Sequence, residues 1–389
     1  MHSSRPLPRS CRCCPWLRRR QRFRRRPLAR TPNPKPARTR PCKVSDVPFR
    51  EPSWWYGPRP GFAARALTPA AWIYGQLSAR RMAQDPRYSA ALPVVCIGNF
   101  TAGGTGKTPL SLWIARQLTA QNLSPVFLTR GYGSAVRAPT LVDLERHCAA
   151  DVGDEALLLA RAGRVMVAPD RVAGAKALTG QGIAGDVILM DDGLQNPGLS
   201  KDLTIAVVDG ARAFGNGGVI PSGPLRAPLP VQLAKTDIVV VNGRREDRDR
   251  VAVQIAPWFS GPVLSAEPEP AGDTSWLQGQ RILAFAGIGN PDRFFRLLER
   301  LGATLVGERR FADHHAFTDA EAARLLAEAD KFGAMLVTTE KDFVRLGNTG
   351  AQADLKRAAR MLPIALSLRA DDGAILMART AGTITERMS

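Results

Sequence analysis

The segment from Pro93 to Pro109 constrains the fold of this chain more than any other part of the sequence. It reads PVVCIGNFTAGGTGKTP, and an amphipathic stretch follows it. An apolar run, a glycine-rich turn, Gly-Lys-Thr and a helical pattern give the order of a strand, a phosphate-binding loop and a helix. Glycines let backbone N–H groups turn toward phosphate oxygens, and the helix N-terminus adds partial positive charge. The sequence therefore predicts a nucleoside triphosphate site.

Individual residues of this loop have candidate roles. Lys107 can reach the β- and γ-phosphates, and the Thr108 hydroxyl can hold Mg²⁺. The predicted nucleotide-binding residues are Thr101, Ala102, Gly103, Gly104, Thr105, Gly106, Lys107 and Thr108. The common G-x-x-x-x-G-K-[ST] pattern has glycine at position 101, where this chain has threonine. A Gly/Thr-rich loop with a purely structural use is the alternative interpretation.

Short apolar runs alternate with helix-like segments from residue 92 onward. Continuous apolar runs are typical of parallel strands that are covered on both faces. They predict strands at residues 94–97, 126–129, 165–168, 187–190, 205–208 and 238–241. This alternation predicts an α/β fold of the P-loop NTPase type, with a doubly wound and mostly parallel sheet.

A second α/β series follows a polar stretch at residues 243–265. It predicts strands at 282–286, 304–306, 335–338 and 364–366, and helices near 292–301 and 319–332. We therefore predict a P-loop domain at residues 85–265 and a smaller C-terminal α/β domain at residues 266–389.

The net charge of +19 is concentrated at the N-terminus. Residues 1–50 hold 16 of the 54 Lys and Arg residues and a single acid, Asp46, so the rest of the chain is nearly balanced. The body therefore gives no electrostatic indication of nucleic-acid binding. The leader lacks apolar periodicity, and its composition predicts disorder. Three interpretations of the leader compete: a basic tail that contacts lipid or RNA, a targeting segment, and an extension from a misassigned start codon. We favour the last.

Residues 54–84 form a candidate membrane-surface segment. The chain has no run of 18 apolar residues, so no span is predicted. Aromatic residues beside arginines on a short amphipathic stretch suit the interface of an anionic membrane. The alternative is a helix that packs on the protein's own core, which Pro69 would start or kink.

Three acidic motifs could supply chemistry. Asp191-Asp192-Gly193 ends an apolar strand, as in the acidic motif that holds Mg²⁺ in P-loop proteins, although a turn-forming Asp-Gly is the alternative. Asp154-Glu155 opens a helix, where Asp154 is either an N-cap or a general base, and Glu155 a metal ligand. Asp313-His314-His315 falls in a predicted turn, and its tandem histidines favour a functional role.

Ten sequence blocks, taken together and in order, resemble the tetraacyldisaccharide 4′-kinase family of lipid A biosynthesis. They are Gly98 to Pro109, Arg130-Gly131-Tyr132-Gly133, Gly153-Asp154-Glu155, Asp170-Arg171, Asp191-Asp192-Gly193-Leu194-Gln195, Phe214-Gly215-Asn216-Gly217, Pro221-x-Gly223-Pro224-Leu225-Arg226, Phe285-Ala286-Gly287-Ile288-Gly289-Asn290-Pro291, Asp313-His314-His315 and Thr338-Thr339-Glu340-Lys341-Asp342. The resemblance runs from Trp54 to Leu366. Thr101 is also this family's residue in the phosphate loop, whereas residues 1–50 have no counterpart.

The resemblance implies transfer of the γ-phosphoryl group of ATP to the 4′-hydroxyl of an acylated disaccharide 1-phosphate lipid, which gives lipid IVA. It implies peripheral attachment at the cytoplasmic face of the inner membrane. Lys107 would contact the β/γ-phosphates, and Arg171 would stabilise charge on the transferred group. Thr108 with Asp191, Asp192 or Glu155 would bind Mg²⁺. Asp154 would take the acceptor proton, assisted by His314, with His315 as the less favoured partner.

Two other function classes stay open at this point. A P-loop ATPase that acts as a switch would hydrolyse ATP equally well without a lipid acceptor. A nucleic-acid-binding protein would use the arginine-rich leader and lose salt-sensitive RNA binding when residues 1–50 are deleted. We expect no nucleic-acid partner, and the sequence does not fix an oligomeric state.

Overall fold

A computed structural model describes residues 51–57 and 61–388, so the predicted leader lies outside the described residues. The strands in this part of the chain are β1 (Val94–Asn99), β2 (Pro125–Thr129), β3 (Thr140–Leu141), β4 (Arg164–Val167), β5 (Val187–Asp191), β6 (Leu203–Asp209), β7 (Ile238–Asn242), β8 (Val263–Pro270), β9 (Arg281–Ala286), β10 (Thr304–Arg310), β11 (Met335–Thr339), β12 (Arg360–Leu362) and β13 (Ile364–Leu368). They form two sheets.

Helices cover both sheets. The described α-helices are α1 (Phe62–Ala66), α2 (Thr68–Met82), α3 (Lys107–Ala120), α4 (Ala149–Val152), α5 (Asp154–Ala160), α6 (Arg171–Gly180), α7 (Leu229–Leu233), α8 (Arg245–Ile255), α9 (Pro291–Arg300), α10 (Asp319–Phe332), α11 (Glu340–Arg345), α12 (Gly350–Ala358) and α13 (Ala370–Met388). Pro69 lies in the first turn of α2, where its missing N–H has no helical partner to lose. No helix within the described residues is long and apolar enough to cross a bilayer.

In the described part of the chain, the strands of the larger sheet lie in the order β13-β8-β7-β6-β1-β5-β2-β4-β3. All neighbouring strands are parallel except the edge strands β13 and β3. Side chains of a strand alternate between faces, so Val95 and Ile97 pack in one core while Val94 and Cys96 pack in another. This double burial explains the continuous apolar runs, and the predicted α/β fold class is confirmed.

The smaller sheet has the order β10-β9-β11-β12, and its described strands are all parallel. Alternate residues of β9 again pack on opposite faces, with Ile282 in one core and Leu283 in the other. The chain then returns to the larger sheet, because β13 pairs with β8 and Leu376 of α13 lies in the larger core. The division into domains at residue 265 stays a prediction.

The order of the larger sheet places a ligand site at its centre. Strand β1 lies between β5 and β6, and the chain leaves β1 toward one side before crossing to the other. In doubly wound sheets, ligands bind beyond the carboxyl ends of the strands at such a switch point. Asn99 and Asp191 end the two central strands β1 and β5, so this edge brings together the phosphate loop and the acidic motif.

Gly98 allows the loop that follows β5 to pack against β1. A Cβ atom at Gly98 would lie 2.5 Å from the Leu194 Cβ and 3.1 Å from its backbone nitrogen. We expect Gly98→Ala to lower the free energy of unfolding by roughly 1–3 kcal/mol, as overpacking of a core does. Urea denaturation checks this. Gly180→Ala is the matched control, because a Cβ there meets nothing within 4 Å. Equal stabilities of the two variants would contradict the prediction.

Candidate active site

The phosphate loop connects β1 to α3 and has the backbone that its glycines permit. Gly103 and Gly106 have φ angles of 95° and 101°, in the left-handed region that favours glycine. The loop is braced from outside by a later segment of the chain. The Ala102 N–H donates to the Pro224 carbonyl at 2.8 Å, and Arg226 Nε donates to the Thr101 carbonyl at 3.1 Å. Contacts within the protein therefore help to define the shape of the loop.

Two cations converge on Asp192, directly after β5. Lys107 Nζ lies 3.6 Å from Asp192 Oδ1, while Arg226 Nη1 donates to both carboxylate oxygens at 2.8 and 3.0 Å. Burial raises the pKa of Asp192, but Lys107 and Arg226 outweigh it and hold that pKa below its ordinary value. Asp192 is thus ionised and holds Lys107 next to the loop.

Asp191, the last residue of β5, offers a free oxygen for a cation. Its side chain is fully buried; Oδ1 accepts from Ser111 Oγ at 3.2 Å, and Oδ2 has no hydrogen-bond partner. Burial, and then the charge of Glu155, raises the pKa of Asp191 to about 7. A buried carboxylate with an unpartnered oxygen and a like-charged neighbour fits the coordination of Mg²⁺.

Within the described residues, no group of three or more His, Cys, Asp and Glu side chains could hold a metal ion. Mg²⁺ is usually bound by one or two carboxylates together with phosphate oxygens and water. Glu155, another predicted ligand, is occupied: its Oε1 lies 2.9 Å from Lys341 Nζ. Lys341 lowers the pKa of Glu155 against the effect of burial.

Asp154 begins α5, but it does not act as its N-cap. The N-cap is Gly153, and Asp154 Oδ1 accepts from the backbone N–H of the next residue, Glu155, at 2.9 Å. Its carboxylate instead reaches the part of the chain that carries the smaller sheet, where His314 Nδ1 lies 3.1 Å from Asp154 Oδ2 and Arg345 contacts the same oxygen. Burial raises the pKa of Asp154, but Arg345 and His314 outweigh it, so the pKa falls well below its ordinary value. The carboxylate is buried and ionised.

The two tandem histidines have different surroundings. His314 adopts a φ of 58°, contacts Asp154 and lies with its ring centroid 5.5 Å from that of Tyr132. Burial lowers the pKa of His314, but its bond with Asp154 outweighs this and raises the pKa overall. His315 turns the other way, where its Nε2 lies 3.0 Å from Glu321 Oε2 and its ring stacks on Phe311. Of this pair, His314 contacts Asp154 and His315 contacts Glu321.

Arg171, predicted to stabilise transferred charge, begins α6 and is buried. Its Nη1 donates to the Ala168 carbonyl at 2.9 Å, whereas its buried Nε has no hydrogen-bond partner. Burial lowers the pKa of Arg171 to about 10, against the opposing charges of Asp192 and Asp191. The side chain therefore brings an incompletely paired positive charge close to the acidic motif.

Comparison with known proteins identifies the family of this chain. A family model described as tetraacyldisaccharide-1-P 4′-kinase matches residues 63–380. The chain belongs to this family. The resemblance found in the ten sequence blocks is thereby confirmed, and the match spans both sheets.

Individual members of the family are similar along most of their length. The tetraacyldisaccharide 4′-kinase of Rhodopseudomonas palustris strain BisB5 is 48% identical over 305 residues, which are 78% of this chain and 88% of that relative. The relative from Bradyrhizobium diazoefficiens is 46% identical over 330 residues, 84% of this chain and 94% of its own. A solved structure of LpxK from Aquifex aeolicus, described as an "apo" form in complex with ATP, has a TM-score of 0.63 at 21% identity. The match covers 83% of this chain and 100% of the LpxK chain. That structural likeness supports the fold.

Four residues of the site received no role from the sequence. They are Ser111, Arg226, Lys341 and Arg345. Ser111 follows Thr108 by three positions in α3, so helical spacing could have placed both on one face. Arg226 and Lys341 lie inside two of the tetraacyldisaccharide 4′-kinase blocks, and Arg345 follows the last block by three residues. Their contacts depend on the tertiary fold, which the sequence pattern does not reveal.

Proposed function

We infer that this chain is an ATP-dependent kinase that phosphorylates the 4′-hydroxyl of tetraacyldisaccharide 1-phosphate and so produces lipid IVA. Family membership supports this activity. The observation that carries it is the buried Asp154 carboxylate, which His314 Nδ1 contacts at 3.1 Å in a chain that also forms a phosphate loop. Glu155, the neighbour of Asp154, is near enough to Lys107 for that charge to lower its pKa. The base and the phosphates of ATP would therefore share one site.

On the nucleotide side, the chain supplies positioning and positive charge. Backbone N–H groups of the loop from Gly103 to Gly106 would hold the phosphates, since the Ala102 N–H donates to Pro224, and Lys107 would contact the β/γ-phosphates. Thr108 and Asp191, with Asp192 or Glu155, would bind Mg²⁺, which when present neutralises charge on those phosphates. Arg171 would stabilise charge on the transferred group, since its Nε is unpaired in the described structure.

On the acceptor side, Asp154 would take the proton of the 4′-hydroxyl as this oxygen attacks the γ-phosphorus. The new O–P bond forms while the bond from the γ-phosphorus to the β,γ-bridging oxygen breaks, and ADP leaves with the electron pair. His314 would orient the carboxylate, and its hydrogen bond favours the ionised form that takes the proton. The lowered pKa of Asp154 keeps it ionised but weakens it as a base, so it would accept the proton only as the hydroxyl oxygen bonds to phosphorus.

The direct test is an assay of the purified protein with ATP, Mg²⁺ and the acylated disaccharide 1-phosphate in detergent micelles. We expect a bisphosphorylated lipid, detected by mass spectrometry, and ADP release that depends on the acceptor. An acceptor with its 4′-hydroxyl removed is the matched control and should give no product. ATP hydrolysis at the same rate with and without acceptor would contradict the kinase function and favour a switch ATPase.

We further propose that α1 and α2 attach the protein peripherally to the cytoplasmic face of the inner membrane. Helix α2 packs on the body through its small residues Ala71 and Gly75, while large apolar side chains face outward. The exposed apolar residues are Phe62, Trp72, Ile73, Tyr74 and Leu77. This reverses the usual burial of large apolar residues, and arginines border the patch, as suits a bilayer interface.

Removal of the exposed apolar side chains should weaken membrane binding without unfolding the protein. We expect Phe62→Ser, Trp72→Gln and Leu77→Gln together to reduce cosedimentation with anionic liposomes several-fold and to lower activity mainly on membrane-embedded substrate. Val253→Ser with Trp258→Gln, which changes exposed apolar residues on and after α8, is the matched control. A chain that starts at Asp85 should lose binding, whereas deletion of residues 1–50 should leave it intact. Full liposome binding by the triple variant would place the membrane contact elsewhere.

A further inference from the structure

Arg345 joins the two sheets at the position of the candidate base. It is the last residue of α11, and its side chain is 5% exposed. Arg345 Nε donates to Asp154 Oδ2 at 2.8 Å, and Nη2 contacts the same oxygen. Asp154 belongs to α5, which packs on the larger sheet, whereas α11 follows β11 of the smaller sheet. A buried arginine on the helix that follows β11 of the smaller sheet thus contacts a carboxylate on a helix that packs on the larger sheet.

The Nη1 group of Arg345 is held by residues from the same part of the chain as Arg345 itself. Arg345 Nη1 donates to the Gly287 carbonyl at 2.6 Å and to Asp342 Oδ1 at 2.9 Å. Asp342 is itself held, because its Oδ2 accepts from the Gly287 N–H at 3.0 Å and from Thr339 Oγ1 at 2.6 Å. Gly287 follows β9, and Thr339 ends β11. The ends of two neighbouring strands therefore set the plane of the guanidinium before it meets Asp154.

These contacts determine which oxygen of Asp154 is available. Oδ2 accepts from Arg345 and from His314, while Oδ1 accepts, among the residues that the structure describes, only the N–H of Glu155 at 2.9 Å. A carboxylate oxygen has two lone pairs, so Oδ1 retains one and Oδ2 is saturated. Two N–H groups of the rigid, planar guanidinium converge on Oδ2 and fix its position more strictly than a single ammonium charge would.

We propose that Arg345 is a positioning residue that orients the Asp154 carboxylate, with Oδ1 toward the acceptor hydroxyl and Oδ2 toward His314. The proposal rests on the kinase function inferred above. In this proposal Arg345 acts through Asp154 and not by contact with ATP or lipid. If the ion pair had only a structural role, replacement of Arg345 would change the stability of the protein but not its turnover. Buried ion pairs can often be replaced by apolar side chains of similar volume. A positioning role predicts a loss of turnover that depends on Asp154.

The test compares Arg345→Met and Arg345→Lys with Arg309→Met, a matched control. Arg309 pairs with Glu328 at 2.7 Å in the same part of the chain but does not contact Asp154. We expect Arg345→Met to lower kcat roughly 10- to 100-fold with the KM for ATP nearly unchanged, because small misplacements of reacting groups are costly. Arg345→Lys should restore part of kcat, since it returns the charge without the fork. Arg309→Met should keep the wild-type kcat.

A double-variant cycle with Asp154→Asn separates the possible outcomes. If Arg345 acts through Asp154, adding Arg345→Met to Asp154→Asn should cost little further activity. A wild-type kcat in Arg345→Met, or losses that multiply in the double variant, would overturn the positioning role while the kinase function stands. A wild-type protein that does not phosphorylate the lipid would overturn both. If Arg345→Met does not fold, Arg345→Lys decides, because full kcat in that variant contradicts a role for the planar fork.

Discussion

Lys107→Ala is expected to lower kinase turnover at least ~10²-fold while the protein stays folded. Preorganised charge on transferring phosphates typically contributes several kcal/mol, and a loss of 10²-fold corresponds to about 2.7 kcal/mol. The fold should tolerate the change because Asp192, the partner of Lys107 in the described structure, keeps both of its bonds to Arg226. Removal of the lysine therefore leaves Asp192 paired.

The measurement is kcat in the micelle assay, together with the midpoint of urea unfolding. Lys176→Ala is the matched control, because Lys176 is an exposed lysine of α6 whose amino group lies 5.2 Å from the Tyr88 ring centroid. Surface changes of this kind usually alter stability by no more than about 0.5 kcal/mol. Near-normal turnover of Lys107→Ala would remove the phosphate loop from the mechanism, whereas a shifted unfolding midpoint would attribute the loss to stability.

The strands of the larger sheet were predictable because parallel strands buried on both faces are apolar at every position. Residues 238–241 were predicted from such a run, and β7 is Ile238–Asn242. Helix α10 was predicted at its observed bounds because both ends carry local signals. Thr318 and Glu321 form a capping box, and Gly333 ends the helix in the left-handed conformation. Local chemistry decided these elements.

The polar stretch at residues 243–265 was not resolved into elements by the sequence. The structure places α8 and the beginning of β8 there. Helix α8 buries only Val251 and Ile255, so its sequence REDRDRVAVQI has no clear apolar face. Strand β8 carries prolines at its end, next to the edge strand β13, where central-strand patterns no longer apply.

Which sheet a strand joins is a tertiary property that periodicity does not encode. Residues 364–366 were assigned to the smaller C-terminal domain, but β13 pairs with β8 at the edge of the larger sheet. The contacts of the site show the same limit. Asp154 and His314 are 160 positions apart in the sequence. The resemblance to the family predicted that they act together, whereas no local sequence pattern does. Among 54 Lys and Arg residues, charge alone could not single out Arg345.

Asp154→Ala is expected to lower turnover by ~10²- to 10⁴-fold, the usual contribution of general acid–base catalysis. The affinity for ATP should change little, because Asp154 contacts Arg345 and His314 rather than the phosphate loop. Alanine leaves Arg345 without its partner, and an unpaired buried charge is destabilising. Asp154→Asn is the better-matched variant, since it keeps the volume and one acceptor oxygen but is not a base. We expect it to lose turnover to a similar extent with a smaller change in the unfolding midpoint.

His314 should depend on Asp154 for its effect. Because the two side chains share a hydrogen bond of 3.1 Å, the double variant Asp154→Ala, His314→Ala should lose less activity than the product of the single losses. His315→Ala is the internal control, since His315 pairs with Glu321 and stacks on Phe311 away from Asp154. It should keep turnover close to wild type and lose some stability. Losses that simply multiply would show that Asp154 and His314 act independently, and a large loss in His315→Ala would transfer the assisting role to the second histidine.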